Sequence, residues 1–163
     1  MNVGTLAAIF IAPIAGARMA AVETATVHAG RGIEGDRYFA GVGSFSRWPG
    51  EGRAVSLFEQ EVIDALRAEH GFDLSEGRHR RNLVTRGVRL ADLNGRTFRI
   101  GPTALFRGTR VCTPCRYLER RVAPGLYDAL LGGRGGLRAD VLEAGAIHVG
   151  DAIELVTPNV THP

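Results

Sequence analysis

Twenty-two glycines and seven prolines are spread along the whole of this 163-residue chain. Glycine permits turns that need a positive φ, and proline ends helices and interior strands. Such frequent interruption leaves room for short strands joined by turns and for little helix. Nine segments read as strands: Thr5 to Ile11, Val22 to His28, Ala54 to Phe58, Asn82 to Thr85, Arg96 to Ile100, Ala104 to Arg110, Leu137 to Leu142, Ile147 to Val149 and Ala152 to Val156. Several alternate with period two: Phe98 and Ile100 share a face, as do Ile147 and Val149, and Ile153 and Leu155 resume the pattern after the Gly150-Asp151 turn. One helix is convincing, from about Glu59 to Ala68, with Phe58, Val62, Ile63 and Leu66 at helical spacing. The pattern predicts a mainly β barrel or sandwich with few short helices.

Apolar residues make up 45% of the chain, enough to line one ordinary core. No repeat, low-complexity tract or polar linker divides it, so residues 1–163 are expected to form one domain. No apolar run approaches the roughly 20 residues of a membrane-crossing helix. Leu6 to Ala17 ends in Ala15-Gly16-Ala17, which imitates a signal-peptidase site, but residues 1–5 carry no side-chain charge and Pro13 breaks the run. The segment is read as an opening buried strand, and the protein as cytoplasmic. In that reducing compartment a close cysteine pair points to metal binding or catalysis more than to a disulfide.

All 20 basic residues are arginine. Without lysine the chain lacks a Walker-type phosphate loop, a pyridoxal-phosphate Schiff base and a lysine general base. Arginine favours two-pronged recognition of phosphate or carboxylate, although a GC-rich genome also writes arginine through codon usage. With a net charge of only +3, a general nucleic-acid binder would need its charge gathered on one face. Gly30-Arg31-Gly32-Ile33-Glu34-Gly35 matches the dinucleotide fingerprint in letters, but the following segment to Gly52 reads as loop where the fingerprint needs a helix. The glycines are read as a turn. Gly132-Gly133-Arg134-Gly135-Gly136 is read as a second bare connection.

The densest chemistry lies in Arg110-Val111-Cys112-Thr113-Pro114-Cys115-Arg116-Tyr117-Leu118-Glu119. Thr113 suits an N-cap and Pro114 the first helical position, which puts Cys115 second in the helix. There the helix dipole, Arg110 and Arg116 would favour thiolate over thiol. Four readings remain open for the pair: a structural zinc site, a thioredoxin-like redox motif, a buried inert pair, and a functional thiolate at Cys115, which the local grammar favours. Arg78-His79-Arg80-Arg81-Asn82 is the second concentration, continuing through Arg86 and Arg89. It is either a solvated basic surface or a ligand-binding strand on which Arg80 and Asn82 share a face, supplying a phosphate fork and an amide. The loop from Gly41 to Gly52, with the single tryptophan Trp48, is expected to border the pocket. Asp36 and Arg37 are expected to brace the turns by a local ion pair.

Taken in order, Gly32-Ile33-Glu34-Gly35-Asp36-Arg37-Tyr38, Arg80-Arg81-Asn82-Leu83-Val84, Cys112-Thr113-Pro114-Cys115, Gly136-Leu137-Arg138-Ala139-Asp140-Val141 and Val149-Gly150-Asp151 resemble the MOSC domain, named for the carboxy-terminal domain of molybdenum-cofactor sulfurase. The correspondence spans about residues 3–156. The resemblance implies a mixed β-barrel, like the β-barrel domain of pyruvate kinase, with short helices at its rim. It implies that Cys115 ligates molybdenum held by a pterin dithiolene, and that Arg80, Asn82, Arg81 and Arg110 contact the cofactor. Two activities follow: reduction of N-hydroxylated substrates with an electron-transfer partner, or carriage of persulfide sulfur from a cysteine desulfurase on Cys115. A reading of another class is a non-catalytic basic binding module.

Overall fold

The computed structural model describes residues 2–44, 46 and 52–157. In chain order the elements are β1 (Asn2–Ile11), β2 (Ala20–Val22), β3 (Thr24–His28), β4 (Gly32–Ile33), β5 (Val55–Glu59), α1 (Gln60–His70), β6 (Leu83–Arg86), a 3-10 turn (Leu90–Leu93), β7 (Thr97–Ile100), β8 (Ala104–Val111), α2 (Arg116–Val122), α3 (Leu126–Ala129), β9 (Leu137–Glu143), β10 (Gly145–His148) and β11 (Ala152–Leu155). Seven strands close into a barrel in the order β11-β7-β8-β9-β5-β6-β1, with β1 returning to β11. Closure removes free sheet edges. Among the described residues only the β5–β6 strand pair is parallel, which makes the barrel mixed, as the family resemblance implied. β2 extends β1, and β10, β3 and β4 form a small second sheet.

Alternation puts one face of each barrel strand inside. Leu6, Ile9, Leu57, Leu83, Phe98, Phe106, Leu137 and Ile153 are sealed in one core, with Phe98 and Phe106 stacked 5.6 Å apart. β5 is buried on both sides. Its outer face carries Phe58 into a second cluster with Val62 and Leu66 of α1, Leu118 of α2, and Leu126 and Leu130 around α3. The three helices are therefore held on the outside of the barrel by one apolar patch. Helix α1 ends at Gly71 in the left-handed conformation, where the glycine amide closes onto the last-turn carbonyls. No helix among the described residues is long and apolar enough to cross a membrane.

Two expectations about local structure need correction. Pro114 does not open a helix. Cys115, which follows it, is extended (φ −129°, ψ 148°), so α2 begins at Arg116 and Cys115 is its N-cap. The strand expected from Asn82 begins at Leu83, and Arg80 lies in a turn with φ 63° rather than alternating along a sheet. At the Gly30-to-Gly35 segment no helix opens, and Gly30, Gly32 and Gly35 all have positive φ, as a turn requires.

The closest backbone approach near the cysteine loop is at Gly136, whose φ is 98° and whose carbonyl accepts from the Cys112 amide at 2.8 Å. A Cβ there would overlap the Leu57 carbonyl oxygen, whereas one at Gly133, with φ 86°, would meet nothing within 4 Å. Both substitutions to alanine carry the strain of a left-handed residue, about 1 kcal/mol or more. In urea unfolding Gly136→Ala is expected to cost about 1–3 kcal/mol beyond Gly133→Ala. Equal midpoints would show that this crossing is not tight.

Candidate functional site

Outside the barrel wall, a hollow of about 770 Å³ opens between the ends of β8 and β9, the turn before β6, and the start of α2. Its wall includes Arg37, Arg53, Arg80, Arg81, Arg110 and Arg138, and no acidic side chain lines it among the described residues. Val111, Cys112, Thr113, Pro114 and Cys115 form one side, and Tyr38, Ser56, Tyr117 and Leu118 complete much of the rest. The two stretches singled out in the sequence, about thirty residues apart, thus meet in one cavity. Cys115 is exposed and Cys112 buried, and both are free thiols.

The arginine turn is fixed from below. Asn82 is buried, and its backbone and side chain bond to two strands at once. Its Nδ2 donates to the Phe10 carbonyl at 3.1 Å, and its own carbonyl accepts from the Phe10 amide at 2.7 Å. Its Oδ1 accepts from the amide and hydroxyl of Ser56 at 3.2 and 3.3 Å. The structure therefore places the Asn82 amide in the barrel wall, where its polar atoms already have partners, and not among the residues lining the hollow. Burial of these groups without partners would cost about 1–3 kcal/mol each.

Arg80 and Arg81 leave this anchor in different directions. Arg80 is largely buried; its guanidinium donates to the Ala17 carbonyl, and its own carbonyl accepts from Arg37 at 3.5 Å. Burial, followed by the nearby cations Arg37 and Arg121, pulls the Arg80 pKa below the usual arginine value. Arg37 is in turn paired with Asp36 at 3.1 Å, both buried, and Asp36 also accepts the Ala12 amide at 3.1 Å. The ion pair expected from the sequence is present and supports Arg80. Arg81 Nε donates to the Gly135 carbonyl at 3.3 Å, tying the turn to the glycine loop before β9. Arg53 is displaced below its ordinary pKa by burial first and then by Arg110 and Arg138.

Of the residues anticipated from sequence, Cys115, Arg80, Arg81 and Arg110 line the hollow and Asn82 supports its floor. Arg53, Arg138 and Tyr38 were missed. Arg138 carries a signal: it alternates with the buried Leu137 and Ala139, so it faces away from the core beside a motif already noted. Arg53 has no such signal, since it sits in an irregular segment. Trp48 lies outside the described residues, as do Phe45, Arg47 and 49–51 of the same loop.

His79 explains part of the rigidity. It is buried, stacked on Phe58 at 5.2 Å and edge-on to Phe10 at 5.3 Å, and its Nδ1 accepts the Arg81 amide at 3.0 Å. Burial, with Arg81 adding to it, lowers its pKa to about 3 from 6.5. Above pH 6.5 the ring is neutral folded or unfolded. Below it the unfolded chain takes up a proton that the folded chain refuses, so stability falls with acidification between pH 6.5 and about 3. His79→Phe is expected to flatten the acid limb of the stability-against-pH curve by about 1.4 kcal/mol per unit in that window. Parallel curves would place the ring elsewhere than in this stack.

Comparison with known proteins agrees with this architecture. The MOSC domain family matches residues 35–154. The fold is similar to that of the YuaD protein of Bacillus subtilis (TM-score 0.74, 18% identity, 93% of this chain and 94% of that one). It is also similar to YiiM of Geobacillus stearothermophilus (TM-score 0.73, 19% identity, 97% and 77%) and YiiM of Escherichia coli (TM-score 0.64, 18% identity, 96% and 69%). No curated protein matches the sequence.

Proposed function

Because the chain belongs to the MOSC domain family, and because one exposed thiol and a set of guanidinium groups share one hollow, we propose that it binds molybdenum cofactor and reduces N-hydroxylated substrates. The donor set fits that group. Among the described residues no three histidine, cysteine or acidic side chains come together as a metal cage. A single soft thiolate suits a metal that arrives already held by sulfur, and fixed arginine forks suit the phosphate of its pterin. Cys115 would be the metal ligand and catalytic thiolate, with Arg80, Arg81 and Arg110 as cofactor contacts. Asn82 acts through Arg80 and Arg81 as a positioning residue.

The bound cofactor supplies two-electron oxygen-atom chemistry. The chain's contributions are binding, orientation and a defined approach. An N-hydroxyl group is reduced by cleavage of its N–O bond: two electrons from an external electron-transfer partner and two protons yield the amine and water. Arg80 cannot relax into a strand, because its left-handed backbone is held by Arg37 and its guanidinium by Ala17, so its fork is preorganised. No lysine is present, so pyridoxal-phosphate chemistry has no anchor in this chain.

The observation that carries this reading is Cys115 lining the same cavity as Arg80 and Arg81. Protein purified from a molybdenum-replete host is expected to hold molybdenum and pterin. Cys115→Ser should lose about tenfold or more of the metal, while Cys112→Ser, whose side chain is buried, keeps most of it. Equal metal in all three proteins would remove Cys115 from the ligand role.

The exposure of Cys115 favours one further reading, in which it carries sulfane sulfur. A persulfide on a cysteine desulfurase would transfer its outer sulfur to the Cys115 thiolate, leaving the donor as thiol with no net redox change. Incubation with desulfurase and cysteine would then add one sulfur atom to the mass of wild type and none to Cys115→Ser. No adduct in wild type would end this reading.

A further inference from the structure

We infer that the phenol of Tyr117 is the acid that hands a proton to the oxygen leaving an N-hydroxylated substrate in the hollow. This rests on the reduction reading and names a catalytic residue for it.

Reduction of an N–O bond consumes two protons, and the wall of the hollow is poor in groups that can give one. Among the described residues it holds no histidine and no acidic side chain. Its arginines stay charged, since a guanidinium does not deprotonate in a protein. Cys115 is taken by the metal in that reading, and Cys112 is buried. The hydroxyl of Ser56 is engaged with Asn82. Ser44 and Thr113 are alcohols, far weaker acids than a phenol. Two phenols remain, Tyr38 and Tyr117.

Geometry separates them. The Tyr38 ring packs so closely on Gly43 that a Cβ there would overlap it, and its hydroxyl has no hydrogen-bond partner among the described residues. Tyr117 stands in the first turn of α2, two residues beyond Cys115, on a helix that Leu118 fixes in the cluster around Phe58. Its oxygen accepts a hydrogen bond from Arg121 at 3.0 Å, and Arg121 is braced by the Gly16 carbonyl at 3.4 Å. A guanidinium has no acceptor, so the phenol keeps its own proton for a ligand. Arg80, in the wall of the hollow, also interacts with this phenol. When the proton departs, the bond from Arg121 becomes charged at both ends, so the negative oxygen meets a cation already in place.

The step balances as follows. Two electrons come from the external partner, the N–O bond breaks, and nitrogen and oxygen each need one proton. Tyr117 supplies the proton on oxygen, which leaves as water and not as hydroxide. Solvent supplies the proton on nitrogen and restores the phenol, which at 41% exposure is open to it.

The test uses protein from a molybdenum-replete host, reduced beforehand with a viologen, and reads amine formation in a single turnover. Tyr117→Phe should slow that turnover about 10²–10⁴-fold while molybdenum content and substrate affinity stay at wild-type levels. Fluorinated tyrosines of graded acidity at position 117 keep the ring and the hydroxyl. At a pH where all are protonated the rate should climb with their acidity, which a merely structural hydroxyl would not produce. As a readout without turnover, the fluorine resonance of 3-fluorotyrosine at position 117 should move when an N-hydroxylated compound binds. A resonance unmoved at saturation, a rate unchanged in Tyr117→Phe, or a rate flat across the fluorotyrosines overturns the assignment. So does loss of molybdenum in Tyr117→Phe, or a larger loss of rate in Tyr38→Phe. Wild type that forms no amine instead sinks the reduction reading, and the acid falls with it.

Discussion

Six hydrogen bonds around Asn82 fix the relation between the barrel and everything built on its outside. They join β1 through Phe10 and β5 through Ser56 just ahead of the parallel β5–β6 pair. A parallel pair needs a crossover, and here the crossover is α1 plus the turn carrying Arg78 to Arg81. The amide therefore terminates the crossover and aims the arginines in one step. Three further supports act on the same turn: the Asp36–Arg37 pair beneath Arg80, the His79 stack, and the bond from Arg81 to Gly135. A left-handed arginine is costly, of order 1 kcal/mol, and survives only where its surroundings over-determine it.

The hollow inverts the usual balance of a protein surface. Guanidinium groups of one sign crowd a concave wall, and burial and mutual repulsion lower the arginine pKa values at two of them, Arg53 and Arg80. The thiol of Cys115 is brought to this wall by packing. Leu118 docks α2 onto Phe58 and Leu126, and the extended backbone at Cys115 turns the cysteine outward ahead of the helix.

The barrel was legible because period-two alternation is a local signal: Phe98 and Ile100, or Ile153 and Leu155, announce their faces regardless of neighbours. Helix α1 was legible for the same reason, and its observed span from Gln60 to His70 moves the expected boundaries by only one or two residues. Capping preferences placed the next helix too early: Thr113 and Pro114 suit an N-cap and a first helical residue, but Cys115 is extended and α2 begins at Arg116. Asn82 looked like a ligand contact because its type and spacing suit one, but its burial is settled by Phe10 and Ser56, far away in the chain. Helix α3, four residues between a glycine and a glycine loop, gives no periodicity to read. Arg138 meets Arg110 only once β8 and β9 pair.

The central claim is that a metal reaches this protein through one sulfur, Cys115, with arginines holding the rest of its ligand. Crystals of protein from a molybdenum-replete host, measured on either side of the molybdenum absorption edge, address that claim most directly. The account predicts one anomalous peak in the hollow, bonded to Cys115 Sγ, with phosphate density against Arg80 and Arg81. A peak away from Cys115, or molybdenum in the protein with no peak in the hollow, would contradict it.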